Sequence, residues 1–344
     1  MKYQVGMYGG SFDPLHLGHL HCILQAAAMC RELYVVLSWS RSRDSTPKEL
    51  RYRWIHQHVR HLPHVKIILV EDSAPSKEEY GEECWAQGAR DIRAAVGKPI
   101  DAVFCGSDYQ GTGRLEGLYG PECQVVYFDR SEVPVSSTSL RENVYENWQY
   151  LAPAARPRYV KRVLVAGGES TGKSTLVQNL AIAYNTNFVR EIGRETCDAA
   201  GGEEFMNLED LCENLLRQKM EEMRAARDSN RLLFVDTDAL TTKFYAQLLL
   251  QDETERSKCA ALADAVAGLH RFDLVLFLEP TVAFVQDGTR NEEIAAHRQK
   301  YSSQLKGLFD QAGISYECLD GDYLDRFRRA KQLIQSRFGI RTAW

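Results

Sequence analysis

A chain of 344 residues with 44% hydrophobic and 26% charged content has the composition of an ordinary folded protein, and its length is enough for two domains. Its formal net charge of −5 argues against a protein that binds nucleic acid mainly through the charge of the nucleic-acid backbone. We therefore expect no nucleic-acid partner, although local basic pockets for phosphate groups are compatible with this charge.

The cysteines and the apolar runs indicate the cellular compartment of the protein. Nine single cysteines without any Cys-x-x-Cys pair fit a reducing cytosol rather than a disulfide framework or a zinc site. No apolar run approaches the roughly 18 residues that span a bilayer, and the N-terminus passes directly into an apolar strand. We expect a cytoplasmic protein with no membrane partner and no signal peptide. A homo-oligomer is compatible with the sequence, which does not decide the oligomeric state.

The first half of the chain alternates strand-like apolar runs with segments of helical spacing. An apolar run at residues 5–8 ends at two glycines, residues 17–30 have helical spacing, and residues 33–37 are again strand-like. This order is a βαβ unit, which predicts a parallel sheet. Further strands are predicted at residues 65–70, 102–105 and 124–128.

The turn after the first predicted strand carries the densest group of candidate site residues, GGSFDPLHLGH at residues 9–19. Two glycines let the backbone approach a phosphate chain closely. His16 and His19 are three apart, so they share a face of the first helical turn, where the helix dipole favours anions. Imidazoles there can donate hydrogen bonds to phosphate oxygens as charge develops on a leaving pyrophosphate. We predict that both histidines are catalytic and that ATP is bound by Gly9, Gly10, Ser11 and Phe12.

Three further features of the first half are predicted to belong to the same site. Ser136 and Thr138 stand at a helix start, where hydroxyls can cap free N–H groups and bind phosphate, and Arg141 follows one turn later. Asp108, directly after the strand at residues 102–105, is placed where a ribose could bind. Trp85 is the tryptophan best suited to stack on an aromatic base, although packing is the commoner role.

The boundary between the halves is predicted from two prolines. Pro153 and Pro157 lie within a ten-residue stretch, residues 150–159, which we interpret as a linker without secondary structure. The predicted domains are residues 1–155 and 156–344. In the second half, strands or helices are predicted at residues 163–166, from 174 onward, and at 208–228, 232–235, 274–278, 314–319 and 323–338.

The second half opens on the sequence GGESTGKS at residues 167–174, which fits the P-loop pattern G-x-x-x-x-G-K-[ST]. Glycines allow backbone N–H groups to turn around an anion, and the following helix adds its positive end. Lys173 can reach the β- and γ-phosphates, and the Ser174 hydroxyl can ligate Mg²⁺. The predicted ATP-binding residues are Gly167, Gly168, Glu169, Ser170, Thr171, Gly172, Ser174 and Thr175.

Acidic residues after two apolar runs complete the predicted kinase site. Asp236 follows a predicted strand and is the candidate for holding Mg²⁺ with Ser174. Asp238 and Glu191 are alternative candidates for orienting or deprotonating an acceptor hydroxyl, and one of the aspartates is expected to cap the next helix instead. Arg190, beside Glu191, is a candidate for contacting the acceptor.

A loop after the strand at residues 274–278 offers further polar contacts to the substrate. Asp287 could bind sugar hydroxyls and Arg290 could bind phosphate. Arg298, about two helical turns further on, could close over the site, but we expect it on a solvent-exposed face.

These motifs resemble known enzymes when they are taken together. GSFDPLHLGH at residues 10–19 with SSTSLR at 136–141 resembles the nucleotidylyltransferase superfamily signature. With GGESTGKS, DTD at 236–238 and DGTR at 287–290, essentially the whole chain resembles the NadR-type family of bifunctional enzymes of NAD biosynthesis. Some members carry an N-terminal helix-turn-helix that represses transcription. This chain begins at the first catalytic strand, so we do not expect a DNA-binding role.

The resemblance implies an α/β protein with a Rossmann-like nucleotidylyltransferase domain followed by a P-loop kinase domain, both built on parallel sheets. It implies that the kinase phosphorylates nicotinamide riboside with ATP, and that the N-terminal domain joins the mononucleotide to the AMP part of a second ATP, giving NAD and pyrophosphate. Both halves would use ATP and Mg²⁺. Two alternatives stay open: the same architecture acting on a different cofactor precursor, and a regulator that senses NAD or ATP.

Overall fold

The computed structural model describes residues 1–72, 74, 81–113, 115–285 and 296–344. The chain divides into two compact units, Met1–Arg158 and Tyr159–Trp344. The predicted boundary between residues 155 and 156 thus falls within the last residues of the first unit. No helix in these described ranges combines the length and the apolar content that crossing a bilayer requires.

The first unit is a parallel sheet covered by helices, as its alternating pattern predicts. Its elements in chain order are β1 (Tyr3–Gly10), α1 (Leu17–Met29), β2 (Cys30–Trp39), α2 (Lys48–Val59), β3 (Val65–Glu71), α3 (Glu82–Val96), β4 (Ala102–Gly106), β5 (Gln124–Phe128) and α4 (Ser137–Glu142). The described strands pair in parallel in the order β3–β2–β1–β4–β5. Because β1 lies at the centre, both of its faces are covered and its residues are mostly buried.

The strand order fixes where a ligand can bind. The chain moves outward from β1 to β3 and then returns to β4 on the other side of β1. At such a switch point, the loops after neighbouring strands leave in opposite directions and open a crevice at the carboxyl ends of the strands. The glycine turn after β1 and Asp108 after β4 both lie at this edge of the sheet.

The segment predicted to be a linker is part of the first unit, so that prediction was wrong. Leu151 pairs with His16 as an antiparallel bridge, and the Ala152 N–H donates to the Leu15 carbonyl over 3.1 Å. A 3-10 helix follows at Pro153–Arg158 and buries Ala155. The two prolines are accommodated in the 3-10 helix, and the apolar residues just before them, Leu151 and Ala152, contact the turn that carries the histidines.

The second unit is again a parallel sheet with helices between its strands. Its elements are β6 (Lys161–Gly167), α5 (Lys173–Ala183), β7 (Phe188–Val189), α6 (Gly193–Ala200), α7 (Leu208–Asp228), β8 (Leu232–Asp236), α8 (Ala239–Leu249), α9 (Glu253–Gly268), β9 (Leu274–Leu278), α10 (Arg298–Gln311), β10 (Glu317–Leu319) and α11 (Tyr323–Phe338). The described strands have the order β10–β9–β6–β8–β7. The strand β6 is central, so the P-loop that follows it emerges at the switch point of this sheet.

Candidate active sites

The glycine turn after β1 is held by buried groups. Phe12 has a φ of 52° and its side chain is fully buried, with its ring 4.9 Å from that of His19. Any contact of Phe12 with a nucleotide is therefore made by its backbone. Arg51, which is also fully buried, donates to the Ser11 carbonyl over 2.7 Å. Arg51 could not be predicted as a site residue, because its role depends on a contact with a residue forty positions away in the chain.

The two predicted catalytic histidines lie together at the start of α1. His16 is the N-cap residue, and its Nδ1 accepts a hydrogen bond from the His19 backbone N–H over 3.3 Å. The rings are stacked with centroids 3.6 Å apart. Because Nδ1 of His16 is an acceptor, the neutral ring carries its proton on Nε2.

Burial keeps both imidazoles neutral. It lowers the pKa of His16 to about 3, with a smaller contribution from the nearby positive charge of Arg130. The pKa of His19 is lowered for the same main reason, with added effects from His16 and Arg130. Among the described residues, neither Nε2 of His16 nor Nδ1 of His19 has a hydrogen-bond partner, although both atoms are buried. A buried polar atom without a partner is costly, so these two atoms mark a place where a ligand can supply the missing bond.

The second predicted motif, at the start of α4, contacts the glycine turn after β1. Arg141 on α4 donates to the backbone carbonyl of Asp13 in the glycine turn, and to the Thr138 hydroxyl over 3.2 Å. The hydroxyl of Ser136 accepts from the Ser139 N–H over 3.0 Å and so caps α4. The structure thus brings Arg141, Thr138 and the turn together, while Ser136 is used for capping.

An ion pair that was not predicted lies next to the histidines. Arg130 Nε is 3.0 Å from Asp108 Oδ1, and both side chains are somewhat less than half exposed. Arg130 and the two histidines border a cavity of about 20 Å³, which has room for about one water molecule. Gly106 makes the ion pair possible, since a Cβ there would lie 2.5 Å from Asp108 Oδ1 and 2.6 Å from Arg130 Nε.

A larger cavity opens on the other side of the glycine turn. It has a volume of about 580 Å³, and its lining includes Gly10, Ser11, Asp72, Trp85 and Tyr109. The Trp85 and Tyr109 rings are edge to face with centroids 6.1 Å apart. The structure therefore places Trp85 against a cavity that reaches the glycine turn.

The P-loop of the second unit has positive φ values at two of its glycines. Gly167 and Gly172 have φ values of 143° and 87°, a region that L side chains rarely adopt, and Ser170 has a φ of 54°. Lys173 is nearly buried, and its Nζ donates to the Gly168 carbonyl over 3.0 Å. Thr175, which was also predicted to bind ATP, is exposed on the first turn of α5.

The residues predicted to hold Mg²⁺ are in direct contact. The Ser174 hydroxyl donates to Asp236 Oδ2 over 2.6 Å. The pKa of Asp236 is raised to about 6, first by burial and then by the negative charge of Glu191, and this net value includes the opposing effects of Lys173 and the hydrogen bond from Ser174. A hydroxyl beside a buried carboxylate at the end of a phosphate-binding loop is a ligand pair suited to a hard cation such as Mg²⁺. A bound cation would also remove the cost of ionising Asp236.

The structure separates the two candidates for the general base. Glu191 lines a cavity of about 100 Å³ beside Lys173, together with Glu169, Arg194 and Tyr245. Asp238 instead caps α8, because its Oδ1 accepts from the Thr241 N–H over 3.1 Å and from the Thr241 hydroxyl over 3.0 Å. The side chain of Asp238 faces a different cavity. The expectation that one aspartate caps the next helix thus describes Asp238.

Arg190 does not reach the cavity beside Lys173. Its exposed guanidinium lies 5.9 Å from the centroid of the Phe188 ring, and Arg194 from the start of α6 lines the cavity instead. The predicted contact between Arg190 and the acceptor therefore has no support in this geometry. The other two predicted substrate contacts, Asp287 and Arg290, lie outside the described residues.

Two arginines hold the P-loop in place, and one of them corrects a prediction. Arg298 was expected on a solvent-exposed face, but it donates to the Ser170 carbonyl over 3.1 Å and to the Val282 carbonyl over 2.7 Å. Arg326 on α11 is buried and donates to the carbonyls of Thr171 and Glu279. Neither contact could be found from local patterns, because the partners lie 128 and 155 residues away in the chain.

Comparison with known proteins gives the same division of the chain. Residues 7–143 match the cytidylyltransferase-like family, and residues 162–326 match the AAA domain family. The chain is 28% identical over 352 aligned residues to the trifunctional NAD biosynthesis/regulator protein NadR of Escherichia coli strain K12, covering 98% of this chain and 84% of that protein. Phosphopantetheine adenylyltransferase of Streptococcus pneumoniae is 27% identical over 145 residues, which is 41% of this chain and 84% of that protein.

A solved structure resembles the whole chain. The crystal structure of NadR in complex with NR superposes with a TM-score of 0.82 at 24% identity, covering 99% of this chain and 97% of the other. The predicted fold class is thus confirmed in both halves. A cytidylyltransferase-like domain with paired histidines and a P-loop domain with a serine–aspartate pair define a bifunctional nucleotidyltransferase and kinase. The chain is similar to NadR along nearly its whole length.

Proposed function

We propose that the chain makes NAD from nicotinamide riboside in two steps, each with its own ATP. The P-loop site transfers the γ-phosphate of ATP to the 5′-hydroxyl of the riboside. The N-terminal site then joins the mononucleotide to the AMP part of a second ATP and releases pyrophosphate. One observation carries this proposal. This chain, which is similar to NadR, contains both the buried histidine pair and the Ser174–Asp236 pair, each at the switch point of its own sheet.

In the kinase step, the 5′-oxygen of the riboside attacks the γ-phosphorus, and the bond between that phosphorus and the β–γ bridging oxygen breaks. The backbone N–H groups of the P-loop and Lys173 bind the phosphates. Ser174 and Asp236 would hold Mg²⁺, which neutralises charge on the phosphates when it is bound. We assign the role of orienting the attacking hydroxyl to Glu191, because it lines the cavity beside Lys173 whereas Asp238 is engaged in capping α8.

In the adenylyl transfer step, a phosphate oxygen of the mononucleotide attacks the α-phosphorus of ATP, and the bond to the pyrophosphate group breaks. Two neutral imidazoles can donate hydrogen bonds to the phosphate oxygens through His16 Nε2 and a ring nitrogen of His19. Arg141 and Arg130 supply positive charge at the same edge of the sheet. Because the cavity beside the histidines has room for about one water molecule, binding a triphosphate there requires the half-exposed Arg130 side chain to move.

The cavity of about 580 Å³ is our proposed site for the nicotinamide half of the mononucleotide. Trp85 and Tyr109 line this cavity and offer aromatic surface for a flat heterocycle. Asp108 does not line it, but this carboxylate precedes Tyr109, is paired with Arg130 and is suited to ribose hydroxyls. The nine cysteines all lie outside disulfides and five of them are buried, which supports our placing the reactions in the reducing cytoplasm. Nicotinic acid mononucleotide remains an alternative acceptor, since the ATP-binding motifs do not select between the two.

Two matched variants test the proposal. With ATP, Mg²⁺ and nicotinamide riboside, the native chain should form mononucleotide first and NAD afterwards, as followed by chromatography. Lys173→Ala should form no mononucleotide yet still convert added mononucleotide to NAD. His19→Ala should accumulate mononucleotide, with adenylyl transfer slowed about 10²- to 10³-fold. Loss of both activities from either folded variant would contradict two separate sites, and nucleotide binding without turnover by the native chain would favour a sensor.

A further inference from the structure

A glutamine on α7 links two separate segments of the kinase site. Gln218 lies about one turn after Leu215, which is buried in the core of the second unit, so both side chains are on the inward face of the helix. The Gln218 Oε1 accepts a hydrogen bond from the Ile192 N–H over 3.1 Å. Its Nε2 donates to the Asp236 carbonyl over 3.0 Å and to the Thr237 carbonyl over 3.4 Å. One side chain thus connects the loop after β7 with the end of β8.

The residues next to these hydrogen bonds are the acidic residues of the site. Ile192 directly follows Glu191, to which we assigned the attacking hydroxyl, and Asp236 is the carboxylate suited to Mg²⁺. The paired register of β7 with β8 ends at Val189, so the sheet does not fix Glu191 two residues later. Gln218 supplies a connection between the two carboxylate-bearing segments beyond the last paired residue.

The turn at the end of β8 is strained, and Gln218 binds it on both sides. Thr237 has a φ of 72°, which is a rare conformation for a β-branched residue. Such a conformation persists only where the surrounding structure fixes it. Gln218 bonds the carbonyls that precede and follow the Thr237 backbone torsions, and the Thr237 hydroxyl donates to Asp236 Oδ1 over 3.3 Å. Gln218 therefore also fixes the residue that orients the Asp236 carboxylate.

We infer that Gln218 is a positioning residue of the kinase, which sets the separation between Glu191 and Asp236. It thereby sets the distance between the attacking hydroxyl and the phosphate that receives the attack. This inference rests on the role proposed above for Glu191. Both N–H groups of the Gln218 amide are engaged by backbone carbonyls, so the residue acts through its neighbours and not on the substrate. Misplacing a reacting group by about 1 Å can slow a reaction about 10²-fold.

Steady-state kinetics of the full chain test this role. Gln218→Met keeps the length of the side chain but removes its hydrogen bonds, so kcat for phosphorylation of nicotinamide riboside should fall about 30-fold. KM for ATP should change less than about twofold, because Lys173 and the P-loop backbone are untouched. Glu221→Met is the matched control on the same helix. It removes only an exposed ion pair with Arg224 and should keep native kinetics.

A double-mutant cycle separates positioning from general stabilisation. If Gln218 acts through Glu191, Gln218→Met should slow the reaction less than about threefold in a Glu191→Ala background. Gln218→Glu keeps the acceptor for the Ile192 N–H but loses the donor, and it should show the same dependence on Glu191. This second variant keeps the test available if the methionine side chain disturbs folding.

Two results would overturn the inference while leaving the kinase assignment intact. One is a native kcat in Gln218→Met, and the other is an equal loss of kcat with and without the Glu191 carboxylate. A native chain that phosphorylates no riboside would instead contradict the proposed function, on which this inference rests.

Discussion

Replacing Asp236 by asparagine is expected to stabilise the second unit of the free protein while abolishing phosphoryl transfer. Asp236 is 2% exposed, and burial together with the charge of Glu191 raises the pKa of its carboxyl group from the ordinary 3.8 to about 6. One pKa unit corresponds to about 1.4 kcal/mol, so ionising this group in the folded protein costs on the order of 3 kcal/mol more than in the unfolded chain. Asparagine keeps an oxygen that accepts from Ser174 but carries no charge for a metal ion.

The gain in stability from Asp236→Asn depends on pH. Between pH 3.8 and about 6 the folded state holds a proton on Asp236 that the unfolded state has released, so the native chain loses stability as the pH rises through this window. The advantage of the asparagine variant should therefore be close to zero at pH 4 and should reach its full size, on the order of 3 kcal/mol, above pH 7.

Hydrogen exchange of peptides from β6 and β8, measured by mass spectrometry, is a suitable assay. It reports the second unit alone, whereas a chain of two units need not unfold in a single two-state step. Mg²⁺ should raise protection in the native chain but not in Asp236→Asn. In a Glu191→Gln background the gain from the asparagine should shrink, because the second cause of the raised pKa is gone. Equal or lower protection of Asp236→Asn at pH 8 would refute the reasoning.

Three further predictions concern other groups. Because burial lowers the pKa of His16 to about 3, kcat/KM for adenylyl transfer should show no inflection near pH 6.5 from this group, and its pH–rate profile with and without His16→Asn checks this. Arg326→Met leaves the carbonyls of Thr171 and Glu279 without their donor, so hydrogen exchange of peptides from β6 and β8 should show the second unit destabilised by about 3 kcal/mol. Gly106→Ala places a methyl group against the Asp108–Arg130 pair, so KM for the mononucleotide should rise while kinase activity stays native; an unchanged KM would remove this pair from the site.

Much of the fold could be predicted because its signals are local. The helices α7 and α11 and the strand β9 begin and end where their apolar periodicity predicts. Asn207 and Asp322 cap the two helices, which explains why their starts are sharp. The strand β10 is shorter than the predicted residues 314–319, because the Ile314 N–H bonds back to the Phe309 carbonyl at the end of α10.

The residues that sequence reasoning missed act through long-range contacts. Arg130 and Arg326 carry no motif, and only the folded chain shows that they lie beside the histidines or at the P-loop. Arg298 was considered, but its contact with the P-loop depends on a carbonyl 128 residues away, so it was expected on an exposed face. The choice between Glu191 and Asp238 as the residue that orients the acceptor hydroxyl could not be made from the sequence either. Both are carboxylates near the end of a strand, and the difference between them is that Asp238 is engaged in capping α8.

The most direct test of the central claim is to follow which phosphate of ATP enters each product. With nicotinamide riboside and [γ-³²P]ATP, the native chain should label the mononucleotide and then NAD. With [α-³²P]ATP it should label NAD and leave the mononucleotide unlabelled, because each site breaks a different bond of ATP. Label from only one of the two phosphates in NAD, or α-label in the mononucleotide, would contradict an account in which two separate sites act in sequence.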